Sequence, residues 1–576
     1  METVLDSIRH TISFVNRTHL IWFGAVLTVM VILAVLHRRW KDDDSKIRLW
    51  RLLCFVPAAA AAVHYCIYCS GVPMFVEGFL PLYITAAAAV LPALFAKRKH
   101  GYRISAGIAG IMALLCGTYL SLASPNYFNH TRESYSESFH SFVEDLDRTY
   151  VLKEWKELDL AALESKYMPM VKNAEQEQDP AKFADAVTMF CHELHDGHVG
   201  VAAEYNENKY RSVFERHEYG LAMVKLDSGE VIAVCTGEEV RKLGIEDGTV
   251  ITKWGGKPVL QAAEEDVPDL GLPVKSNEDL VAVTELSAVG GSTVEVAFID
   301  KDGTEKTVTL SDLGEMHTKD EALAALSRRP VIRSDEDLEA FCGENFTTKM
   351  LTADCGYLRL TQEETDNALQ DILGYYSGDH KWAREMLRQK LRDLRDQGME
   401  KLIIDLRGNM GGYDEIGCAL CSLLTDEDWF GQGLGVRKNG QYTCVSEHGI
   451  KGDGEFAGLE TVALTGYRCV SAGDGTSLYL SKLPNVTLAG ITDPNGSNQE
   501  TGGISVLAEG IVYVRYPIGL IMNGEGEPNI DTRADRISRD PVEVRIPLDY
   551  EGAMKIFHDN EDYELDWALE YLENNG

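Results

Sequence analysis

Apolar residues divide this chain into two unlike parts. Four long apolar runs fill the first 124 residues: Leu20 to Leu36, about Leu52 to Val72, Phe79 to Ala96 and Ile104 to Ala123. Each approaches the ~20 residues that cross a hydrocarbon layer as a helix, so the pattern predicts a four-helix transmembrane region over 1–124. Runs two and three carry Pro57, Pro81 and Pro92, which membrane helices tolerate. Run one starts late and is followed by basic residues and three further runs, unlike a cleaved signal peptide. Arg38, Arg39, Lys41, Lys46, Arg48 and Arg51 lie between runs one and two, and Lys97, Arg98, Lys99 and Arg103 between runs three and four. The middle loop has no Lys or Arg. Basic loops stay in the cytoplasm. The expectation is a multi-pass protein of the cell membrane, with its N-terminus and everything after run four outside the cytoplasm.

The rest of the chain reads as several soluble units. Residues 125–214 carry helical periods, with Asp179-Pro180 as a helix start. Residues 215–312 alternate short Val/Ile strands with glycine turns, as in GLAMVKL, VIAVCTG and GTVITKWGGKPV. From 313 to 576, buried-strand patterns such as GYLRL and KLIIDLRG alternate with helical ones, an α/β arrangement. The fold class expected is therefore multi-domain.

Charge and cysteine usage narrow the function. A net charge of -35 excludes a phosphate-binding surface and so nucleic acid as a partner. Cys418 and Cys421 form a CxxC in the apolar stretch ALCSLL, with no second pair. Zinc sites need four ligands, so these read as core cysteines and no metal is expected. The other cysteines fix no pairing.

Four segments carry chemistry: HDGHVGV at 195–201, GYLRL at 356–360, LIIDLRGNMGGY at 402–413, and VALTGYRCVSAGDGTSLYLSKLPNVTLAGITDPNGSNQ at 462–499. In the third, an apolar strand gives way to Gly408, Asn409, Gly411 and Gly412, a turn whose backbone N–H groups can approach a substrate. In the fourth, Ser471 follows a strand and opens a helix. A serine there is ordinarily an N-cap, but its hydroxyl also sits at the positive helix end. The order of these segments, with a β-rich insert between the first two, resembles the C-terminal processing and tricorn-type serine peptidases over roughly 140–550. The insert segment EEVRKLGIEDGTVITKWGGKPV resembles the distal half of a PDZ domain. The resemblance implies a PDZ-like domain at 215–312 and an α/β core of the ClpP/crotonase type at 313–576.

The resemblance also implies roles. Ser471 is the nucleophile, and the N–H groups of Gly411 and Ala472 hold the oxyanion. C-terminal processing enzymes place a lysine four residues before a glutamine. Here Gln499 matches the glutamine but Asn495 stands at the lysine position, so the base falls to His198, as in the tricorn type. That pattern also has a serine before the histidine, where this chain has Gly197, and a late glutamate, for which Glu525 is the candidate and Asn523 the alternative. The expected activity is a membrane-anchored, extracytoplasmic serine endopeptidase acting on peptides or unfolded protein termini, with no cofactor and with the lipid bilayer as its other partner. The alternative is a weak or inactive peptidase fold that binds peptides through its PDZ-like region. His195 is the next candidate base.

Overall fold

The computed structural model describes residues 17–575, apart from 73, 124–125, 205–211, 213, 316, 344, 378–380, 439, 524–525 and 530–531. The first part is helical: Arg17–Trp40, Asp44–Leu53, Val56–Tyr68, Phe75–Ala88 and Lys99–Ala123. Among the described residues two stretches are long and apolar enough to cross a membrane, Ile21–Trp40 and Asp44–Tyr68, with mean hydropathy 2.0 and 1.4. Both differ from the expected runs in their ends, and the second starts earlier because Asp43 caps its first helix at Ser45 and Lys46 N–H. The expected third run is a shorter apolar helix, Gly78–Leu94. It carries Pro81 inside and breaks before Pro92, each proline removing a helical donor. The helical region packs directly on the body of the protein: Phe75 stacks on Tyr127 at 4.4 Å, and Asn129 Nδ2 donates to Tyr68 O and Ser70 O at 3.0 and 3.1 Å.

The body is built on two large sheets. One has the spatial order Val544–Arg545, Val486–Gly490, Glu460–Leu464, Lys401–Asp405, Cys355–Leu360, Phe346–Met350, all parallel except the last pair. Its inner strands are mainly apolar because both faces are covered. Leu402 and Ile404 face the helices Lys381–Arg395, Asp414–Leu424 and Ala472–Ser481. Ile403, one residue out of phase, faces the C-terminal helix Tyr563–Asn575. The second sheet joins Asn126–Asn129, Gln499–Val506, Val512–Met522, Trp429–Lys438 and Gln441–Ile450, with Gly200–Ala203 added to Val512–Met522. The helices Tyr135–Thr149, Leu160–Glu177 and Pro180–His192 pack on it. Residues 125–214 are thus not purely helical: they give this sheet two four-residue strands. Asp179 does cap the helix beginning at Pro180, accepting from Ala181 and Lys182 N–H at 3.1 and 3.2 Å.

Residues 215–312 form a hairpin, Ala222–Lys225 with Val231–Val234, and a four-stranded sheet with three helices, Glu238–Arg241, Val259–Asp266 and Lys275–Leu286. Gly255 and Gly256, at φ 58 and 82, make the tight turn of WGGK. Strand Ala222–Lys225 and helix Lys275–Leu286 pack on each other, and Ala322, Leu323 and Leu326 of helix Thr318–Ser327 pack against both. Buried Glu218 ties that helix down: His317 N–H and Thr318 N–H donate to its Oε2 at 2.8 and 3.0 Å, and Thr318 Oγ1 and Gly220 N–H to its Oε1, both at 2.6 Å.

Candidate active site

The strand Lys401–Asp405 ends in charges that turn out to be structural. Arg407, 2% exposed, bonds Asp405 at 2.8 and 2.9 Å, Asp562 at 2.7 Å and Glu564 at 3.0 Å. Burial alone would raise the Asp405 carboxyl, yet Arg407 and Arg359 hold it down at about 2. This cluster anchors the C-terminal helix. The glycines that follow serve the next strand's loop. Gly411, at φ 81, lies so close to Ser471 that a Cβ there would stand 2.4 Å from the Ser471 Cβ, 2.9 Å from Val470 O and 3.0 Å from Ala472 N. Only glycine fits.

Ser471 itself has φ 62 and ψ -133, and its side chain makes no cap bond to the helix Ala472–Ser481 that it opens. The ordinary N-cap role is therefore not what the residue performs. A non-glycine residue at positive φ costs on the order of 1–3 kcal/mol and persists only where its surroundings hold it. Here Ser471 N–H donates to Ser497 O at 2.9 Å, and Gly475 N–H to Ser471 O at 3.0 Å.

Behind the glycine turn sits Glu363, 0% exposed. Its backbone clamps the turn, N–H to Gly411 O at 2.7 Å and O from Tyr413 N–H at 2.8 Å. Burial pushes its carboxyl up to about 8, against the Thr476 hydroxyl, Gly417 N–H and Asn409 side chain, with Asp414 adding to the rise. The Gly411 N–H, expected as an oxyanion donor, is engaged by Asn409 Oδ1 at 2.7 Å.

His198 arrives from the other sheet, on the loop between helix Pro180–His192 and strand Gly200–Ala203. Its N–H donates to Asp196 Oδ1 at 2.8 Å, and its Nδ1 bonds Ser497 Oγ at 2.8 Å. Ser497 Oγ donates to Gln499 Oε1 at 2.6 Å and stands 3.4 Å from Asp196 Oδ1, while Tyr150 OH donates to Asp196 Oδ2 at 2.7 Å. Burial pushes the imidazole below its ordinary value; Asp196 and Gln499 oppose this and Arg515 adds to it. Gly197 departs from the tricorn pattern for a packing reason: a Cβ would stand 2.1 Å from Asn495 Oδ1 and 3.1 Å from Ser497 Oγ. Asn495 is itself buried, with Nδ2 donating to Tyr467 O at 2.9 Å.

The structure thus brings Ser471, Ala472 and Gly411 into contact and connects His198 to them through Ser497. Among the described residues Ser471 and His198 share no hydrogen bond. Glu525 lies outside the described residues. Asn523 accepts from Glu527 N–H at 3.0 Å in a turn. His195, the other candidate base, is turned to Asp269 Oδ2 at 2.9 Å. His195, Asp269 and Glu278 hold ligand-type atoms within 4.8 Å of one another, but Glu278 already pairs with Arg536 at 2.6 Å. Ser497, Asp196 and Glu363 were not singled out in the sequence, and Asn409 was named only as part of the glycine turn. For Ser497 a signal existed, its place in GSNQ two residues before Gln499. For Glu363 there was none beyond its nearness to GYLRL.

A cavity of about 340 Å³ opens beside the site, lined by Gly197 and Val470 with Leu270, Leu272, Leu323 and Tyr467. Its wall residues Gly197 and Val470 are the immediate neighbours of His198 and Ser471. The cavity is mostly apolar, and Glu285 on its wall is paired with Lys319 at 3.1 Å and Arg216 at 3.3 Å.

Comparison with known proteins agrees with this architecture. Residues 354–534 match the model of Peptidase family S41. No curated protein sequence matches the chain. Among solved structures, mature CPAF superposes with TM-score 0.51 at 14% identity, covering 77% of this chain and 98% of that one. Mature CPAF complexed with lactacystin gives TM-score 0.50 at 13% identity, covering 77% and 99%. The photosystem II D1 C-terminal processing protease is similar at 16% identity over 74% of this chain and 97% of that one, with TM-score 0.32. At these identities the likeness to the two CPAF structures speaks for the fold alone. The family match falls on the segment that contains the glycine turn, Ser471 and Gln499, so residues 354–534 carry a Peptidase family S41 domain and the protein is a serine-type peptidase.

Proposed function

We propose that this chain is a membrane-anchored endopeptidase whose catalytic part lies outside the cytoplasm and which cleaves peptides or unfolded protein termini through an acyl-enzyme. Ser471 Oγ attacks the scissile carbonyl, and its proton passes to His198 Nε2. The proton then goes to the leaving amine, and water repeats the sequence to release the acid. The N–H groups of Ala472 and Gly411 hold the oxyanion, the latter after Asn409 Oδ1 yields its place. Glu525 remains the candidate acid partner of this relay, and the reading needs no cofactor.

The observation that carries this reading is the backbone of Ser471. It is held at positive φ with its hydroxyl withheld from capping, against a glycine that admits no side chain. The two apolar helices and the basic residues clustered where they meet support the membrane anchor. The PDZ-like reading of 215–312 and the ClpP/crotonase reading of the core belong to the same proposal. The test is a fluorophosphonate probe applied to the full chain. Labelling of the wild type and not of Ser471→Ala is the expected result; equal labelling of both sinks the assignment.

A second reading, a weak or inactive enzyme that binds peptides, is favoured by two observations. Among the described residues Ser471 shares no hydrogen bond with His198, and the Gly411 N–H is already taken. Apo sites often close such gaps only with substrate bound. Peptide binding without turnover would establish this second reading.

A further inference from the structure

We propose that Ser497 is the positioning residue that makes His198 a base, with Gln499 setting the direction of its hydrogen bond. The inference rests on the reading of Ser471 and His198 given above. Ser497 is 0% exposed, and its groups are all committed within the site. Its N–H donates to Asp474 Oδ2. Its O accepts the Ser471 N–H at 2.9 Å. Its Oγ meets His198 Nδ1 at 2.8 Å and Gln499 Oε1 at 2.6 Å. One residue therefore holds both the strained backbone of the nucleophile and the ring of the base.

The proton count decides what this does. A serine hydroxyl has one proton to give and lone pairs to accept with. Gln499 Oε1 can only accept, so the Ser497 proton points to Gln499. The Ser497 oxygen must then accept from His198, which requires the proton on Nδ1. Nε2 is left with its lone pair, the form a general base needs. The tautomer of a histidine is set by the partner of its other nitrogen. In the familiar triads a carboxylate fills this place; here a neutral hydroxyl fixed by an amide does so. Asp196 Oδ1, 3.4 Å from Ser497 Oγ, adds negative charge beside the imidazolium that forms.

Gln499→Leu gives the sharpest test, because it leaves Ser497 and His198 in place. The Ser497 proton is then left with Asp196 Oδ1 at 3.4 Å and His198 Nδ1 at 2.8 Å; the nearer nitrogen takes it, which moves the ring proton to Nε2, the wrong form for a base. The expected result in the full-length chain is a fall in kcat of roughly 10–100-fold with KM little changed, since proton transfer by a positioned group is worth about 10²–10⁴-fold. Gln499→Glu, still an acceptor, recovers part of the loss. Ser497→Ala falls similarly and moves the acid limb of the pH–rate profile further down, because the buried imidazolium loses an acceptor. Ser497→Thr, which keeps a hydroxyl, recovers part of that loss. ¹⁵N NMR of His198 in a Ser471→Ala background reads the tautomer without activity: Nδ1 is protonated while Gln499 is present, and Nε2 is protonated once Gln499→Leu is added.

The proposal is overturned if Ser497→Ala and Gln499→Leu keep the wild-type pH profile and turnover while Ser471→Ala and His198→Ala are dead. If Ser471→Ala or His198→Ala stays active, the underlying site reading fails instead. The NMR tautomer still decides the Ser497 contact in that case, and an unchanged tautomer in Gln499→Leu overturns it.

Discussion

The two large sheets hold their shares of the site in opposite ways. The parallel sheet presents Ser471 and Gly411 from two neighbouring strand ends, Glu460–Leu464 and Lys401–Asp405. Everything that shapes Ser471 there is backbone: a positive φ, a glycine without Cβ, and N–H to C=O bonds. The second sheet presents His198 from the short strand Gly200–Ala203 and Gln499 from the head of another. There the ring is placed by side chains, through Ser497, Gln499 and Asp196. Nucleophile geometry is thus stored in the chain's dihedrals, where steric exclusion makes it unforgiving. Base geometry is stored in hydrogen bonds, which single substitutions redirect without disturbing the fold.

The harshest way to break the contrast is on the backbone side. Gly411→Ala puts a Cβ 2.4 Å from the Ser471 Cβ and asks alanine to adopt φ 81. Activity should fall to background, and stability by at least ~2 kcal/mol, read by thermal unfolding. Ser471→Ala should be equally inactive, down by a factor on the order of 10⁴ or more, yet as stable as the wild type or more so. A Gly411→Ala protein that keeps its turnover would show that the turn does not shape the nucleophile.

On the base side the loss should be smaller and dependent on pH. His198→Ala is expected to lower kcat by roughly 10²–10⁴-fold, and combining it with Ser471→Ala should cost nothing more, as for residues acting as a unit. Because burial depresses the His198 imidazole, activity should rise with pH along a limb centred below the ordinary value of about 6.5. An acid limb above 6.5 would mean that the base is a different group or that Asp196 outweighs burial.

The same contrast explains what the sequence disclosed. The turn at 402–413 and the serine at 471 are local: strand, glycines and helix start follow one another within short stretches, so the resemblance that assigns their roles can be read from contiguous sequence. Parallel strands such as Lys401–Asp405 are apolar on both faces and stand out. The second sheet did not, because its parts are short and scattered; Gly200–Ala203 has four residues, mostly solvent-exposed. Ser497 meets His198 across 299 positions, a distance over which no period or spacing speaks. Pro92 likewise marks where the third apolar run breaks, which a hydropathy count does not register. The charges of Asp405 and Arg407 serve the fold, since Arg407 ties Asp405 to Glu564 of the C-terminal helix.

A subtler probe lies behind the glycine turn. Glu363 is raised to about 8 by burial, and Asp414 and Glu415 to about 7 and about 8. A carboxyl raised in the fold binds its proton more tightly there than in the unfolded chain. Its stabilising contribution is complete below about 4.5 and is lost as pH passes about 8. Both stability and turnover should therefore decline toward alkaline pH. Glu363→Gln, neutral at every pH, should move the alkaline limb upward and raise Tm by a few °C at pH 9, with a smaller gain at pH 6. Asp414 and Glu415 keep the limb from vanishing. An unchanged alkaline limb would show that Glu363 does not titrate there.

The smallest effect is expected away from the chemistry, at Glu218. Burial works to raise this carboxyl, but the hydrogen bonds from Thr318, His317 and Gly220 outweigh it and hold it below the usual range. The sign is opposite to that of Glu363: the stabilisation is present above about 4.5 and is lost as pH falls through the lowered value. Its four donors include the first amides of helix Thr318–Ser327, which packs against strand Ala222–Lys225. If that strand is where the proposed PDZ-like region docks an extended peptide, the helix is in the way. Glu218→Gln replaces charge-assisted bonds with neutral ones and should loosen the helix by about 1 kcal/mol. Amide hydrogen exchange in 318–327 should then quicken about five-fold, kcat on short peptides should hold, and KM on long peptides should fall as the groove opens more often. Faster exchange with KM unchanged on long substrates would leave Glu218 a helix anchor and take this groove out of the docking proposal.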